Sequence, residues 1–184
     1  MRDEIEVLFL ASDPFREGAA RRLDEEVRGV EEAIRRGHGC ARVKLVPCFA
    51  PGTRDLQHAL MRHDPRIVHF AGDGGGIYLG DASGRRGLVT ARALAELFGF
   101  LNEWIKVVIL NGCDTLPMAE ALGEVVDYTI GMDPPLGDAS AILFAEAFYG
   151  ALGMGETVRG SFDEAVRRLD GSAVPVLRTR AGAR

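Results

Sequence analysis

Short, almost wholly apolar segments recur along this chain and alternate with amphipathic ones, and this alternation restricts the possible folds more than any other feature. Residues 5–11, 67–71 and 105–110 are nearly continuous apolar runs, as expected of strands that are buried on both faces of a sheet. Residues 19–36 instead carry apolar side chains at spacings of three and four, which is typical of a helix that packs on one face. Repeated strand–helix units of this kind predict an α/β fold with a mostly parallel sheet covered by helices on both faces.

Local sequence patterns also predict a hairpin and the remaining strands and helices of the chain. The segment 76–89, in which turn residues separate two short apolar runs, predicts a small β-hairpin outside the main sheet. The predicted strands are residues 5–11, 42–49, 67–71, 105–110 and 125–131. The predicted helices are residues 19–36, 53–62, 138–152 and 156–169, a helix capped by Thr90 and a helix that follows Cys113, with Thr53 and Asp138 as further caps.

Length and composition set the domain organisation and exclude several classes of function. The chain has 184 residues, of which 47% are hydrophobic, so we expect one domain over residues 1–177 and a flexible tail over residues 178–184. A net charge of −5 argues against nucleic acid as a partner. The absence of a long apolar run and of a signal-peptide pattern argues against a membrane location, and the odd count of three cysteines fits a reducing compartment. We therefore expect a soluble cytoplasmic protein.

Acidic residues follow four of the predicted strands. In a parallel sheet the carboxyl ends of the strands meet at one edge, where ligands bind. Such an array could bind a divalent cation through oxygen atoms, or receive an arginine or lysine from a substrate or partner. Aspartate is also common in strand-to-helix loops for purely structural reasons. The four residues are Asp13, Asp73, Asp114 and Asp133.

Five stretches stand out by their order and spacing: LFLASDP from residue 8, RLDEEV from residue 22, IVHFAG from residue 67, LNGC from residue 110 and VDYTIGM from residue 126. Together they resemble the CHAT domain family of caspase-like proteins. The resemblance spans about residues 5–170 and implies a caspase-like three-layer sandwich of the cysteine peptidase superfamily that includes caspases and gingipains. The family occurs in bacterial defence and signalling systems, which makes a protein partner or a peptide substrate the expected ligand.

The resemblance also implies a catalytic pair of cysteine and histidine at two neighbouring strand ends. By position, Cys113 is the nucleophile, but Asp73 occupies the place of the histidine. The amides of Gly74 and Cys113 would form the oxyanion site. His69, four residues earlier in the same motif, is expected to be a hydrogen-bonded core histidine rather than a replacement base.

The exchange of histidine for aspartate changes the chemistry that is expected of this pair. A carboxylate near a thiol disfavours the thiolate, whereas an imidazolium stabilises it. We therefore favour a noncatalytic caspase-like module that binds or scaffolds other proteins. The alternative is a working cysteine endopeptidase in which His69, a partner residue or a substrate-induced rearrangement activates Cys113. Simpler structural roles stay open: Cys113 as a small buried residue and Asp73 as the residue of an Asx-turn.

Other motifs in the chain carry little functional signal. The glycine-rich run at residues 72–76 lacks the Lys-Ser/Thr of a P-loop and the spacing of a dinucleotide fingerprint. The spacing of His38, His58 and His63 relative to the cysteines matches no common zinc site. The sequence therefore predicts neither a cofactor nor a metal.

Overall fold

The computed structural model describes most of the chain as alternating strands and helices. The described residues are 4–11, 19–37, 42–49, 52–72, 77–81, 83, 85–101, 103–112, 115–132, 136–169, 171 and 175–183. Their strands are β1 (Glu4–Ala11), β2 (Arg42–Phe49), β3 (Ile67–Ala71), β4 (Tyr78–Gly80), β5 (Arg86–Leu88), β6 (Val107–Asn111), β7 (Tyr128–Met132) and β8 (Pro175–Thr179). Their helices are α1 (Ala19–Arg36), α2 (Thr53–His63), α3 (Ala91–Phe100), α4 (Leu116–Gly123), α5 (Asp138–Gly153) and α6 (Val158–Arg168).

Six strands form the central sheet in the order β2-β1-β3-β6-β7-β8. All neighbouring pairs are parallel except β7 and β8, which are antiparallel. The mostly parallel sheet that the sequence predicts is therefore confirmed. Because β1, β3, β6 and β7 run in the same direction, their carboxyl ends lie at one edge.

Two hydrophobic clusters lie on opposite faces of the sheet. The first contains β1, β3 and β6 side chains such as Val7 and Ile109 and packs against α1, α5 and α6. The second contains alternating side chains of the same strands, such as Leu8 and Leu110, and packs against α2, α3 and α4. Since successive strand residues point to opposite faces, runs without polar interruption are what a sheet covered on both sides requires. The result is the predicted three-layer sandwich.

The helix boundaries follow local signals, with two corrections to the predicted caps. The Thr90 hydroxyl accepts a hydrogen bond from Ala93 N at 3.2 Å, which confirms Thr90 as the cap of α3. Thr53 and Asp138 are not caps: they are the first residues of α2 and α5, and the caps are Gly52 and Gly137. At the start of α2 the Gly52 N–H donates to the Asp55 carboxylate at 2.8 Å, which is the half of a capping box that the third helical residue supplies.

The carboxyl-terminal strand is the largest departure from the predicted elements. Residues 178–184 were expected to form a flexible tail, but Arg178 and Thr179 belong to β8, which pairs with β7. The Arg180 guanidinium and the Lys106 amine both contact the buried carboxylate of Asp127, the latter at 3.3 Å. Local pattern does not identify this strand, because its place depends on pairing with β7, on the packing of Leu177 against the core and on the ion pair that Arg180, just beyond the strand, makes with Asp127.

The predicted hairpin is confirmed as an antiparallel pair, β4 and β5, outside the central sheet. Its turn is held by the Asp81 carboxylate, which accepts hydrogen bonds from the Ser83 N–H at 2.8 Å and the Arg85 N–H at 3.0 Å. Hydrogen bonds from Ser83 and Arg85 lower the pKa of Asp81, with Ser83 making the largest contribution.

Across the described residues, no helix combines the length and apolar character needed to cross a bilayer.

Candidate functional site

The candidate site residues follow the strand ends at the carboxyl edge of the sheet. The residues named from the sequence, Asp13, Asp73, Gly74, Cys113, Asp114 and Asp133, lie outside the described residues. The strands that lead to them are described, and they end at Ala11, Ala71, Asn111 and Met132 in the adjacent order β1-β3-β6-β7. The chain positions that precede the predicted site are therefore neighbours in space.

The ends of β3 and β6 touch through their backbones. The Gly72 N–H donates to the Asn111 carbonyl at 3.4 Å. A Cβ atom placed on Gly112 would lie 2.6 Å from the Gly72 carbonyl oxygen, closer than such atoms approach each other in proteins. Glycine at position 112 is thus needed for this close approach. The residues that directly precede Asp73 and Cys113 are in contact.

Thr115 is the first described residue after Cys113, and its side chain contacts both β6 and β7. Its buried hydroxyl lies 2.9 Å from the Leu110 carbonyl and 3.3 Å from the Gly112 carbonyl, and it accepts a hydrogen bond from Met132 N at 3.0 Å. One side chain therefore joins the end of β6 to the end of β7. Sequence reasoning missed Thr115, although threonine just before a predicted helix is a recognisable signal for a helix start.

A buried polar cluster lies directly beneath this edge, on the face covered by α1 and α5. The Asn111 amide donates to the Glu26 carboxylate at 2.7 Å and to the Ala141 carbonyl at 3.1 Å. The His69 Nε2 atom lies 3.6 Å from the same Glu26 oxygen. Glu26, on α1, is almost completely buried. The cluster links α1, β3, β6 and α5 through polar contacts, which fixes the strand ends relative to the helices.

His69 is enclosed within this cluster and is a core histidine, as expected. Its Nδ1 atom lies 3.0 Å from the Tyr149 hydroxyl, and its ring centroid lies 4.4 Å from that of Phe9. Burial lowers the pKa of His69 to about 3. Burial, with the charge of Glu26 as the smaller cause, raises the pKa of Tyr149 well above its ordinary value. A neutral imidazole that is fully enclosed in the core is poorly placed to act as a general base for a cysteine.

The other described histidines lie away from the carboxyl edge. His63, at the end of α2, contacts Glu6 near the amino end of β1 through Nδ1 and a carboxylate oxygen 2.6 Å apart. His58 lies on α2, and His38 is outside the described residues. The Cys48 thiol on the edge strand β2 is free, and burial together with Asp55 raises its pKa. The described residues contain no group of three or more His, Cys, Asp or Glu side chains that is arranged to hold a metal ion.

The sheet order and the two helical layers define a caspase-like fold, the fold of a large class of cysteine peptidases. The chain is similar to three solved structures of that class. One is a secreted C11 cysteine protease from Bacteroides thetaiotaomicron, iotapain, with a TM-score of 0.61 and 10% identity over 89% of this chain. The Arg-specific cysteine proteinase gingipain R gives a TM-score of 0.56 and 9% identity over 90% of this chain. The Drosophila initiator caspase Dronc gives a TM-score of 0.54 and 7% identity over 96% of this chain.

These similarities concern the fold. The chain spans 62% of iotapain, 43% of gingipain R and 79% of Dronc. Its sequence matches no protein-family model and no curated protein sequence. The caspase-like fold implied by the sequence resemblance is therefore confirmed, while membership of the CHAT family and the replacement of the catalytic histidine by Asp73 stay predictions.

Proposed function

We propose that this chain is a caspase-like module of the CHAT type whose own peptidase activity is absent or severely reduced, and that it acts by binding a protein partner. The observation that carries the proposal is the contact between Gly72 and Gly112 at the ends of adjacent strands. Asp73 and Cys113 are the next residues of these two strand ends. This is where a cysteine peptidase of this fold would need its base and its nucleophile.

The chemistry of an Asp–Cys pair at this position favours an inactive protein. A carboxylate repels a neighbouring thiolate and so raises the pKa of the thiol above its ordinary value of about 8.5. The thiol therefore stays protonated at neutral pH. An ionised aspartate also has no proton to donate to the leaving amine. A positioned acid–base group typically contributes about 10²- to 10⁴-fold to the rate, and this contribution would be lost.

No described histidine replaces the missing base. His69 is enclosed by Phe9 and Tyr149 beneath the sheet edge, and His63 contacts β1 near the opposite edge. This arrangement argues against the version of the active-enzyme hypothesis that depends on His69. It leaves binding as the function that the fold can perform with the residues at this edge, where Asp13, Asp114 and Asp133 are the proposed contacts for basic groups of a partner.

A second candidate function is a working cysteine endopeptidase with an unusual base. The observation that favours it is the class of the three similar structures, two described as cysteine proteases and one as an initiator caspase. In that case a peptide would be the substrate, and Cys113 would be activated by a partner residue or by a rearrangement on substrate binding. For either function we propose a bacterial defence or signalling system in the cytoplasm as the setting, which the resemblance supports.

Labelling of the active-site thiol separates the two functions. The unaltered chain, Asp73→His and Cys113→Ala are incubated with peptide acyloxymethyl ketones, and covalent adducts are located by mass spectrometry. We expect only Asp73→His to be labelled, and at Cys113. Labelling of the unaltered chain at Cys113, absent in Cys113→Ala, would show that another base exists and that the protein is an enzyme.

A further inference from the structure

The β4–β5 hairpin has one covered edge and one open edge. On the β4 side, Gly52 forms an isolated parallel bridge with Gly80, and the Thr53 hydroxyl donates to the Gly80 carbonyl at 3.4 Å. On the β5 side, all the residues of Arg86–Leu88 are exposed. Among the described residues, β5 pairs with β4 alone. The hairpin is therefore a two-stranded sheet in which β5 is an uncovered edge strand.

The hydrogen bonds near the two ends of the hairpin determine which backbone groups of β5 face the open edge. The Asp81 N–H donates to the Arg85 carbonyl at 2.7 Å, and the Val89 N–H donates to the Ile77 carbonyl at 2.8 Å. In an antiparallel pair of strands, hydrogen-bonded residue pairs alternate with pairs that are not bonded to each other. The residue pair midway between these two bonded pairs is therefore hydrogen-bonded as well.

Arg86 and Leu88 direct their backbone groups to the open edge. The midway pair is Leu79 and Gly87, so the backbone of Gly87 faces β4. Arg86 and Leu88 lie on either side of Gly87, and their N–H and C=O groups point away from β4. A row of such groups along a sheet edge is a template for an extended chain, because a strand matches the spacing of the donors and acceptors.

An apolar cleft of about 720 Å³ lies between the hairpin and the helices α2 and α3. Its lining includes the β5 residues and the buried side chains of Leu56, Leu79 and Leu94. Gly87 lies opposite Leu79 and adds space to the cleft, since a Cβ atom at Gly87 would meet nothing within 4 Å. A strand that pairs with β5 would direct every second side chain to this face of the hairpin. The cleft therefore favours apolar residues at alternate positions of the added strand.

The lining of the cleft carries a net positive charge. Its titratable residues are Asp81, Arg85 and Arg86. The Arg85 guanidinium lies 3.5 Å from an Asp81 carboxylate oxygen, so these two charges offset each other and the charge of Arg86 is left over. On the neighbouring helix α3, Arg92 and Glu96 pair with each other at 2.8 Å. An acidic side chain on the added strand, opposite Arg86, would supply the complementary charge.

We propose that the open edge of β5 binds an extended segment of a separate protein as a third strand, with apolar residues facing the cleft and acidic residues at the alternate positions beside Arg86. Hydrogen bonds to the backbone of Arg86 and Leu88 supply affinity, and the cleft and the Arg86 charge select the side chains. The inference names the class of partner for the proposed binding role and rests on that role. It does not depend on the chemistry of Cys113.

A second copy of this chain fits the open edge less well. Residues 85–90, Arg-Arg-Gly-Leu-Val-Thr, contain no acidic residue. Two β5 edges that pair with each other would therefore bring two positive segments together and give Arg86 no carboxylate from the opposite strand. The charge of the edge favours an acidic strand from another protein.

The binding test uses short labelled peptides and the full chain. The acidic peptide has about ten residues, which is the upper length of common strands, and alternates valine with glutamate. The basic control alternates valine with lysine. Each peptide carries a fluorophore and is titrated with the protein in fluorescence anisotropy. We expect saturable binding of the acidic peptide, at least about tenfold tighter than binding of the basic peptide.

Backbone pairing is tested by removing hydrogen-bond donors from either partner. Two further versions of the acidic peptide are N-methylated, one at its valines and one at its glutamates, so each lacks the donors along one strand edge. We expect at least one version to bind about tenfold more weakly. On the protein, Leu88→Pro removes the outward N–H, whereas Leu88→Ala removes the side chain and keeps the N–H. We expect Leu88→Pro to bind at least about fivefold more weakly than Leu88→Ala.

Two charge variants and hydrogen exchange locate the binding surface. Arg86→Glu should abolish the preference for the acidic peptide. Arg35→Glu makes the same exchange at an exposed position of α1, in the opposite helical layer, and should change affinity by less than about twofold. Circular dichroism verifies that each variant is folded. In the unaltered chain, the acidic peptide should slow hydrogen exchange over residues 86–88 and leave residues 175–179 unchanged.

Several results would overturn the proposal. These are no saturable binding of the acidic peptide, equal binding of the acidic and basic peptides, unchanged binding of both N-methylated versions, or equal binding by Leu88→Pro and Leu88→Ala. A concentration-dependent dimer in sedimentation velocity that Leu88→Pro abolishes would replace the separate protein by a second copy of the chain. If the Cys113 thiol of the unaltered chain is labelled and β5 still binds the peptide, the noncatalytic role fails while the assignment of the β5 edge stands.

Discussion

The contact between the ends of β3 and β6 can be tested by adding one methyl group. In Gly112→Ala the new Cβ atom would lie 2.6 Å from the Gly72 carbonyl oxygen. Relief requires the two backbones to separate by at least about 0.4 Å, since shorter separations than about 3 Å are not tolerated. The obstacle is a backbone atom, which cannot rotate away as the end of a flexible side chain would. The Gly72–Asn111 hydrogen bond, already 3.4 Å long, would lengthen further.

The size of the effect follows from two opposing contributions. Overpacking of a tightly packed site typically costs about 1–3 kcal/mol. Alanine in place of glycine also restricts the unfolded chain, which stabilises the fold by about 0.4–1 kcal/mol where the backbone conformation is compatible. Gly87→Ala is the matched control, because a Cβ atom there meets nothing within 4 Å. The control retains the unfolded-state gain and lacks the clash, so the difference between the two variants measures the clash alone.

Urea-induced unfolding, followed by circular dichroism and by Trp104 fluorescence, gives the free energy of unfolding of each variant. We expect Gly112→Ala to be less stable than Gly87→Ala by about 1–3 kcal/mol. For a chain of this length, each kcal/mol corresponds to a change in Tm of about 2–4 °C. If the two variants agree to within about 0.5 kcal/mol, the ends of β3 and β6 do not touch and the placement of Asp73 beside Cys113 loses its support.

Two further predictions concern the buried titratable groups of His69 and Asp127. Because the pKa of His69 is lowered to about 3 while the unfolded chain keeps about 6.5, its contribution to stability is complete above pH 6.5 and declines as the pH falls towards 3. Between pH 6.5 and 5 the unaltered chain should lose roughly 1.5–2 kcal/mol more of its unfolding free energy than His69→Phe, as measured by urea titrations at each pH. An equal change of unfolding free energy with pH in the two proteins would contradict the burial of a neutral imidazole. Burial opposes ionisation of Asp127, but hydrogen bonds from Arg180 and Lys106 outweigh it and lower the pKa of Asp127. The contribution of the ionised Asp127 carboxylate to stability is therefore present above about pH 4 and is lost as the pH falls through the pKa of the folded state. At neutral pH, Asp127→Asn should therefore speed hydrogen exchange over residues 175–180, and unchanged exchange there, measured by mass spectrometry, would show that the ion pairs do not hold β8.

The order and type of most elements were predictable from local pattern. The predicted strand at residues 42–49 and the predicted helix at residues 19–36 coincide with β2 and α1. These predictions succeeded because burial on one or two faces imposes a repeat of two or 3.6 residues, which can be read without knowledge of the partners. The core role of His69 was predictable as well, since apolar residues flank it on a buried strand.

Element ends were less predictable because they depend on single hydrogen bonds. The predicted strand at residues 125–131 begins only at Tyr128, since the N–H groups of Val125 and Val126 bond back to Leu122 and extend the end of α4. β8 was missed altogether because its alternation is weak. Its place is decided by pairing with β7 and by the ion pairs of Asp127, which lies 53 residues from Arg180.

The sequence by itself determined the alternation of strands and helices and the burial of the strands on both faces. It also determined that a glycine and then a reactive residue type follow two of the strands, as Gly72-Asp73 and Gly112-Cys113. These features depend on neighbours along the chain. The tertiary structure alone decided that Gly72 and Gly112 touch, that Asn111 bonds Glu26 from 85 residues away and that His69 meets Tyr149 from 80 residues away. It also left Met61, Phe100 and Trp104 exposed on one surface. Such contacts join residues that are distant in sequence, and only the packing of helices on the sheet brings them together.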